Sequence, residues 1–411
     1  MDIDIRPIGR QQWEAFQRTT AAAFGFAPDP DESSFAAEHY EFDRSLAAFD
    51  GDRIVGTGGA YSLELTLPGL TNVPAGGLTW IGVLPSHRRR GILRGLVERH
   101  FDDVEAHGEP LSLLYASESV IYGRFGYGSA TQLAWYRIDP RHGAFSTRVR
   151  LPAGQVRMVD GDEAWALLPE LHERFRRTQP GELRRPTWYW RRALDDPAWA
   201  SRRDRGPRFN AVYEAEPGQV EGAVAWRCDE RWSQGLADSR ITVLDLYALT
   251  PQATAALWRF VLDLDLAAEV RLGARPLDEP LRWLLADPRR LRTSHVADGL
   301  WARLLDLPAA LAARRYATAG TLVLEVGDAL RPRNQGRFRL DGGPDRAACA
   351  PTRAEPDLVV DVSDLGAAYL GGTRLASLAR AGRVLEARPG ALRRADAMFA
   401  ADPPPWATID F

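Results

Sequence analysis

The stretch LTWIGVLPSHRRRGILRGLVERHFDDVEAHG, residues 78–108, decides how the first part of the chain folds. Its opening residues are apolar and end at Pro85, which predicts a strand. Leu93, Leu96, Val97 and Phe101 then recur at helical spacing, with Gly108 past the end, which predicts a helix starting at the arginines. Arg88, Arg89 and Arg90 thus fall where a strand passes into a helix start. Such a start offers unpaired N–H groups and the positive end of the helix dipole, so acidic residues are the ordinary choice there. Three arginines work against the dipole unless an anion binds, and the turn reads as a pyrophosphate cradle. It lacks the GxGxxG of a dinucleotide site and the GxxxxGK of a P-loop. A solvated basic turn is the plainer alternative.

Working outward, DIDIRPI reads as an edge strand ended by Pro7, and GRQQWEAFQRTTAAAFGF as an amphipathic helix burying Trp13, Phe16 and Phe24. Strands with an Asp50-Gly51-Asp52 turn precede the arginine stretch, and the strand PLSLLYAS follows it. Residues 1–150 form one α/β unit on this reading. Residues 151–295 repeat the theme, with Thr250 and Pro251 opening a helix, but without the arginine turn. From 296 to 411 short strands alternate with Gly, Pro and Asp turns and helices, an α+β domain ending in DPPPWATIDF. The predicted class is α/β with α+β character: tandem mixed-sheet domains followed by a smaller C-terminal one.

Composition narrows the chemistry. The chain has 411 residues and a net charge of −3, so any basic site is local and nucleic acid is not an expected partner. Every basic residue outside histidine is an arginine, which excludes Schiff-base and Walker lysines. Cys228 and Cys349 have no metal-type spacing and are expected to be buried, inert thiols. The seven histidines form no HExxH pattern, so no metal is expected. The N-terminus has no apolar h-region and no apolar run reaches membrane-spanning length, so a cytoplasmic protein without a membrane partner is expected.

The segments VLPSHRRRGILRGL, LYASESVIYGRFGYG, DGLWARLLDLPAALAARRYA and the terminal DF, in this order, resemble the enhanced intracellular survival (Eis) type of GCN5-related N-acetyltransferase along the whole chain. The resemblance implies a GNAT domain, a second GNAT-like domain lacking the cofactor turn, and a sterol-carrier-protein-like domain. It also implies acetyl-CoA as co-substrate, an amine acceptor that is a small molecule or peptide, and a homohexamer.

An acetyltransferase of this kind holds acetyl-CoA, polarises its thioester carbonyl and protonates the departing thiolate. Backbone N–H groups of Ile81, Gly82 and Val83 are expected to hold the pantetheine arm and carbonyl. Arg89, Arg90, Gly91, Ile92, Leu93 and Arg94 form the expected pyrophosphate turn, with Ser117 and Glu118 as further cofactor contacts. A phenol, with its reference pKa near ~10, can protonate a thiolate. From the residues alone Tyr122 and Tyr127 are equal candidates; the resemblance favours Tyr122. It also points to the α-carboxylate of Phe411 as base, with Asp410 adding negative charge, and to Trp190 and Asp298 as acceptor-binding residues. Trp190 is equally explained by packing. Aminoglycosides and lysine side chains are the expected multi-amine acceptors. The competing readings are a hydrophobic-ligand carrier and a non-catalytic CoA-binding scaffold.

Overall fold

The structure is a computed structural model, and it describes residues 3–200 and 206–411. Contacts divide the chain into two units: Met1–Thr131 with Asp298–Phe411, and Gln132–Ala297.

The first unit contains strands β1 (Ile3–Pro7), β2 (Leu46–Asp50), β3 (Arg53–Thr66), β4 (Asn72–Val83), β5 (Leu111–Tyr115) and β6 (Gly128–Ser129). Its helices are α1 (Trp13–Phe24), α2 (Pro30–His39), α3 (Ile92–Ala106) and α4 (Ser119–Tyr122). The sheet order is β1-β2-β3-β4-β5, then strand Leu300–Leu304, then β6. Only β4 and β5 pair in parallel, as a strand–helix–strand crossover requires. On one face α3 buries Leu96, Val97, Phe101 and Val104 against Leu78, Ile81, Val83 and Leu114. Each such side chain contributes about 1.5–3 kcal/mol on burial. A second cluster gathers Trp13, Phe16 and Tyr40 around Ala47, Phe49 and Ile54.

Two expectations are corrected here. Phe24 is 45% exposed: it closes α1 just before the left-handed Gly25, and one side of its ring lies against Gly82 of β4. The helix after the arginines begins at Ile92, so Arg88–Arg90 lie in the preceding turn and only Arg94 is on the first helical turn. The segment Pro30–His39 is helical: Asp29 accepts from the Asp31 and Glu32 amides and Pro30 occupies the first position, where its missing N–H costs nothing.

The second unit holds β7 (Gln132–Ile138), β8 (Gln155–Val159), β9 (Arg208–Glu214) and β10 (Val220–Asp229). A short hairpin, β11 (Trp232–Ser233) and β12 (Leu236–Ala237), precedes β13 (Ser239–Ala248), β14 (Ala267–Arg275) and β15 (Arg292–Asp298). The sheet order is β15-β7-β14-β13-β10-β9-β8, with β13 and β14 parallel. Two further helices, α5 (Gly161–Arg176) and α6 (Thr187–Leu194), belong to this unit, and helix Pro251–Leu262 connects the parallel pair. The core is built on Trp226, Leu257, Trp258 and Val261.

Strand β16 (Leu300–Leu304) returns to the first sheet, between β5 and β6. The remaining strands form a five-stranded sheet in the order β19 (Ala347–Pro351), β18 (Gly336–Gly342), β17 (Gly320–Gly327), β20 (Leu358–Asp361), β21 (Val384–Glu386). These boundaries differ from those expected at 150 and 295. Residues 132–138 pair within the second sheet, and residues 300–304 are a strand of the first sheet. Both shifts are long-range pairings that no local pattern encodes. Arg303 on β16 makes a bidentate, buried contact with Asp328 at 2.7–2.8 Å, joining the first sheet to the C-terminal part. Arg331 adds bonds to Glu105 at 3.0 Å and Asp102 at 2.8 Å on α3.

Candidate active site

The site begins where β4 and β5 part. Their pairing runs from Ala75–Leu111 to Gly77–Leu113 and stops there. Beyond it, residues 78–83 pair only with β3, so the edge of β4 that faces β5 is left open. In the same stretch β4 bulges: Thr57 pairs with Gly82 and Gly59 with Thr79, so Trp80 and Ile81 together oppose Gly58. Trp80 has φ of 46°, a conformation rare for a bulky residue and typical of functional sites. Its carbonyl accepts from Thr57 Oγ1 at 2.9 Å, and Thr57 Oγ1 in turn lies 3.1 Å from Thr20 Oγ1. Ile81 and Val83 point their side chains into the core, leaving backbone to serve any ligand.

The arginine turn follows directly. Arg89 and Gly91 both have positive φ, 62° and 81°, turning the chain sharply before α3. Gly91 is the N-cap and no side chain caps the helix, so the amides of its first turn keep their anion-binding capacity. Arg88 donates to the carbonyls of Val83 at 3.3 Å and Ala23 at 3.2 Å, so it braces the turn. Arg89 and Arg90 are exposed, Arg90 with Asp50 at 3.8 Å. Arg94 pairs with Glu98 at 2.8 Å on the helix surface. Ile92 is buried and Leu93 half-buried, so these two act through backbone.

Ser117 and Glu118 are exposed at the end of β5, just before α4. The two tyrosines have different surroundings. Tyr127 is fully buried and its hydroxyl shares a hydrogen bond with Ser112 Oγ at 2.6 Å, which also meets His100 Nε2 at 2.8 Å. Tyr122, on α4, is 4% exposed. Burial raises its pKa; a hydrogen bond with Ser117 opposes the shift and the Glu118 charge adds to it. Tyr122 therefore stays a protonated donor well into alkaline solution.

The end of the chain reaches this place too. Trp406, Ala407 and Ile409 are buried, Asp410 is exposed and Phe411 half-buried. The Tyr115 hydroxyl donates to the Ile409 carbonyl at 2.6 Å, and the Tyr115 and Phe411 rings meet edge to face at 5.5 Å. A Cβ added at Gly77 would lie 2.8 Å from Phe411 Cε2, so the missing side chain makes room for the terminal ring. Asp298 is exposed and accepts from Trp301 Nε1. Trp190 belongs to the second unit and is 5% exposed, packed by Arg185 at 5.2 Å and His172 at 5.8 Å.

Family models for an acetyltransferase (GNAT) domain match residues 4–130 and 181–304, and one for a sterol carrier protein domain matches 307–408. An uncharacterised N-acetyltransferase of Streptomyces avermitilis is 40% identical over 99% of each chain. The N-acetyltransferase Eis of Mycobacterium bovis is 37% identical over the full length of both chains. The crystal structure of Eis1 from Mycobacterium abscessus superposes with a TM-score of 0.87 at 36% identity, covering 99% of this chain and all of that one. The chain belongs to the Eis-type N-acetyltransferases.

GNAT domains use acetyl-CoA, and the residues of this Eis-type chain fit it: an uncapped helix start, an arginine turn and an open strand edge beside a bulge. The second GNAT domain closes both features. Thr250 Oγ1 accepts from the Ala253 amide at 3.2 Å, capping helix Pro251–Leu262, and Arg275 of β14 donates to the Leu246 carbonyl of β13 at 2.6 Å. Among the described residues no cluster of His, Cys, Asp and Glu has a metal-binding arrangement, and no helix is long and apolar enough to cross a membrane. The thiols are half-buried rather than buried, and burial raises both, Cys349 to about 12, so neither is a nucleophile at neutral pH. Sequence reasoning missed Gly77, Thr57 and Tyr115. Only Gly77 left a trace, since a glycine pair inside a strand marks close approach of another group.

Proposed function

We propose that this N-acetyltransferase moves the acetyl group of acetyl-CoA directly onto amines of cationic, multi-amine acceptors, with aminoglycosides and lysine side chains as the substrate classes. The observation that carries this reading is the return of the chain end to the point where β4 and β5 part. Bound there, acetyl-CoA supplies the acyl group and a thiolate leaving group. Backbone N–H groups of Ile81, Gly82 and Val83 serve the pantetheine arm and thioester carbonyl, because the side chains of Ile81 and Val83 are committed to the core. Arg89, Arg90, Gly91, Ile92, Leu93 and Arg94 hold the pyrophosphate, with Ser117 and Glu118 at the opposite strand. Tyr122 donates a proton to the sulfur, and its raised pKa keeps that proton available. Tyr122 is preferred over Tyr127 in this proposal, since the Tyr127 hydroxyl is fully buried against Ser112.

The acceptor arrives as an ammonium and must lose a proton. The Phe411 carboxylate, reference pKa ~3.3–3.7, is a weak base and acts through position and negative field. Asp410 beside it is exposed and adds to that field for a cation. Asp298 completes the acceptor side in this proposal, in a cytoplasmic hexamer. The test is thiol release from acetyl-CoA with a panel of aminoglycosides and lysine peptides. Saturable release with several cationic amines is expected. Acetyl-CoA binding without release by any of them would leave only the CoA-binding scaffold.

A further inference from the structure

Tyr115 has no part in the chemistry above, yet it meets the chain end twice. We propose that Tyr115 is a positioning residue that latches the C-terminal carboxylate at the mouth between β4 and β5, with Gly77 supplying the seat. The inference rests on the reading of Phe411 as base.

The tail is tied down upstream by the buried residues Trp406, Ala407 and Ile409. Those anchors end at Ile409. Two residues remain, Asp410 exposed and Phe411 half-buried, and their backbone torsions decide where the carboxylate lies. A terminal residue without tertiary ties frays, and a misplacement of about 1 Å can cost about 10²-fold in rate. Tyr115 grips both sides of Asp410: its hydroxyl holds the Ile409 carbonyl at 2.6 Å and its ring holds the Phe411 ring at 5.5 Å. It can do so because it ends β5, two residues past Leu113, the last residue of β5 that pairs with β4. Gly77, the partner of Leu113, faces the same ring from β4, where an added Cβ would come within 2.8 Å of Phe411 Cε2 and 2.6 Å of Leu63 Cδ1. Both arms of the parted strands therefore touch the terminal residue. The carboxylate is thereby referenced to the strands that position acetyl-CoA.

The test compares the full-length protein, Tyr115→Phe, a chain extended by one glycine after Phe411, and the two changes combined. Tyr115→Phe keeps the ring and removes only the hydroxyl, so the fold survives. Its kcat is expected to fall by about 3- to 10-fold, the equivalent of one hydrogen bond, with KM for acetyl-CoA unchanged. Carboxypeptidase should release Phe411 faster from it by a similar factor, which reports tail docking without reference to activity. Added to the extended chain, the substitution should cost nothing further, since the carboxylate is already displaced. Wild-type kcat and wild-type carboxypeptidase resistance in Tyr115→Phe overturn the latch while a dead extended chain leaves the base assignment standing. A fully active extended chain overturns the base assignment itself, and with it the catalytic purpose of the latch. Gly77→Ala, which crowds the seat, should lower kcat in the same way, and a wild-type kcat for it removes Gly77 from the proposal.

Discussion

At the residue scale the informative comparison is between two tyrosines five positions apart. The residues alone did not separate them; their partners differ. Tyr122→Phe is expected to lower kcat by about 10²–10⁴-fold while the acetyl-CoA Kd stays near wild type, measured by steady-state kinetics and calorimetry. Tyr127→Phe is expected to leave chemistry intact and cost about 1–3 kcal/mol of stability, because Ser112 loses a buried partner. Burial raises the Tyr122 pKa, so the acid is lost only above the ordinary phenol value. The alkaline limb of kcat should therefore lie above pH ~10, the reference value for a phenol. A limb below that would point to another donor. His100 shows the opposite effect: burial first, then Arg44, pushes its pKa down to about 3. The unfolded chain, with a histidine pKa of about 6.5, binds more protons than the folded one at pH values between these two, so stability falls as pH drops through that window. At pH ~4.5 the loss is about 3 kcal/mol, and urea unfolding of His100→Gln should lack it. Arg44 lies far from His100 in sequence, so no local pattern records that contact.

At the scale of the element, the strand–turn–helix of residues 78–108 was legible because periodicity, Pro85 and the arginines all act locally. What local reasoning misjudged was the join, since the left-handed Arg89 and Gly91 push the helix start to Ile92. Arg89→Ala and Arg90→Ala should each weaken acetyl-CoA by about tenfold, as for one charge-assisted contact at an exposed site, without altering the thermal transition. Unchanged affinity in calorimetry would return the turn to a solvated surface. The bulge at Trp80 was not legible. It depends on pairing with β3 and on the Thr57 and Thr20 hydroxyls, which lie far away in the chain.

For the whole molecule, the C-terminal domain shares a compact unit with the first GNAT domain, joined by the buried Arg303–Asp328 pair. Asp328→Asn should strip the partner from a buried guanidinium and cost about 3–5 kcal/mol, seen as a lower midpoint of a transition common to both parts. Loss of only the C-terminal signal, with acetyl-CoA binding intact at the old midpoint, would show that the two parts unfold separately. A C-terminal purification tag moves the terminal charge by about 3.3–3.6 Å per added residue, so tagged protein is expected to lose turnover but keep acetyl-CoA binding. An N-terminal tag should do neither. The order of local patterns along this chain was enough to determine the tandem α/β organisation and the N-acetyltransferase family, since strand and helix periodicity, the arginine turn and the terminal DF are properties of contiguous residues. Two things were decided only by the tertiary structure: which sheets the strands at 132–138 and 300–304 join, and what the last residue touches. Each depends on contacts between residues remote in sequence, such as Tyr115 and Ile409 or β5 and β16, and no local pattern records them.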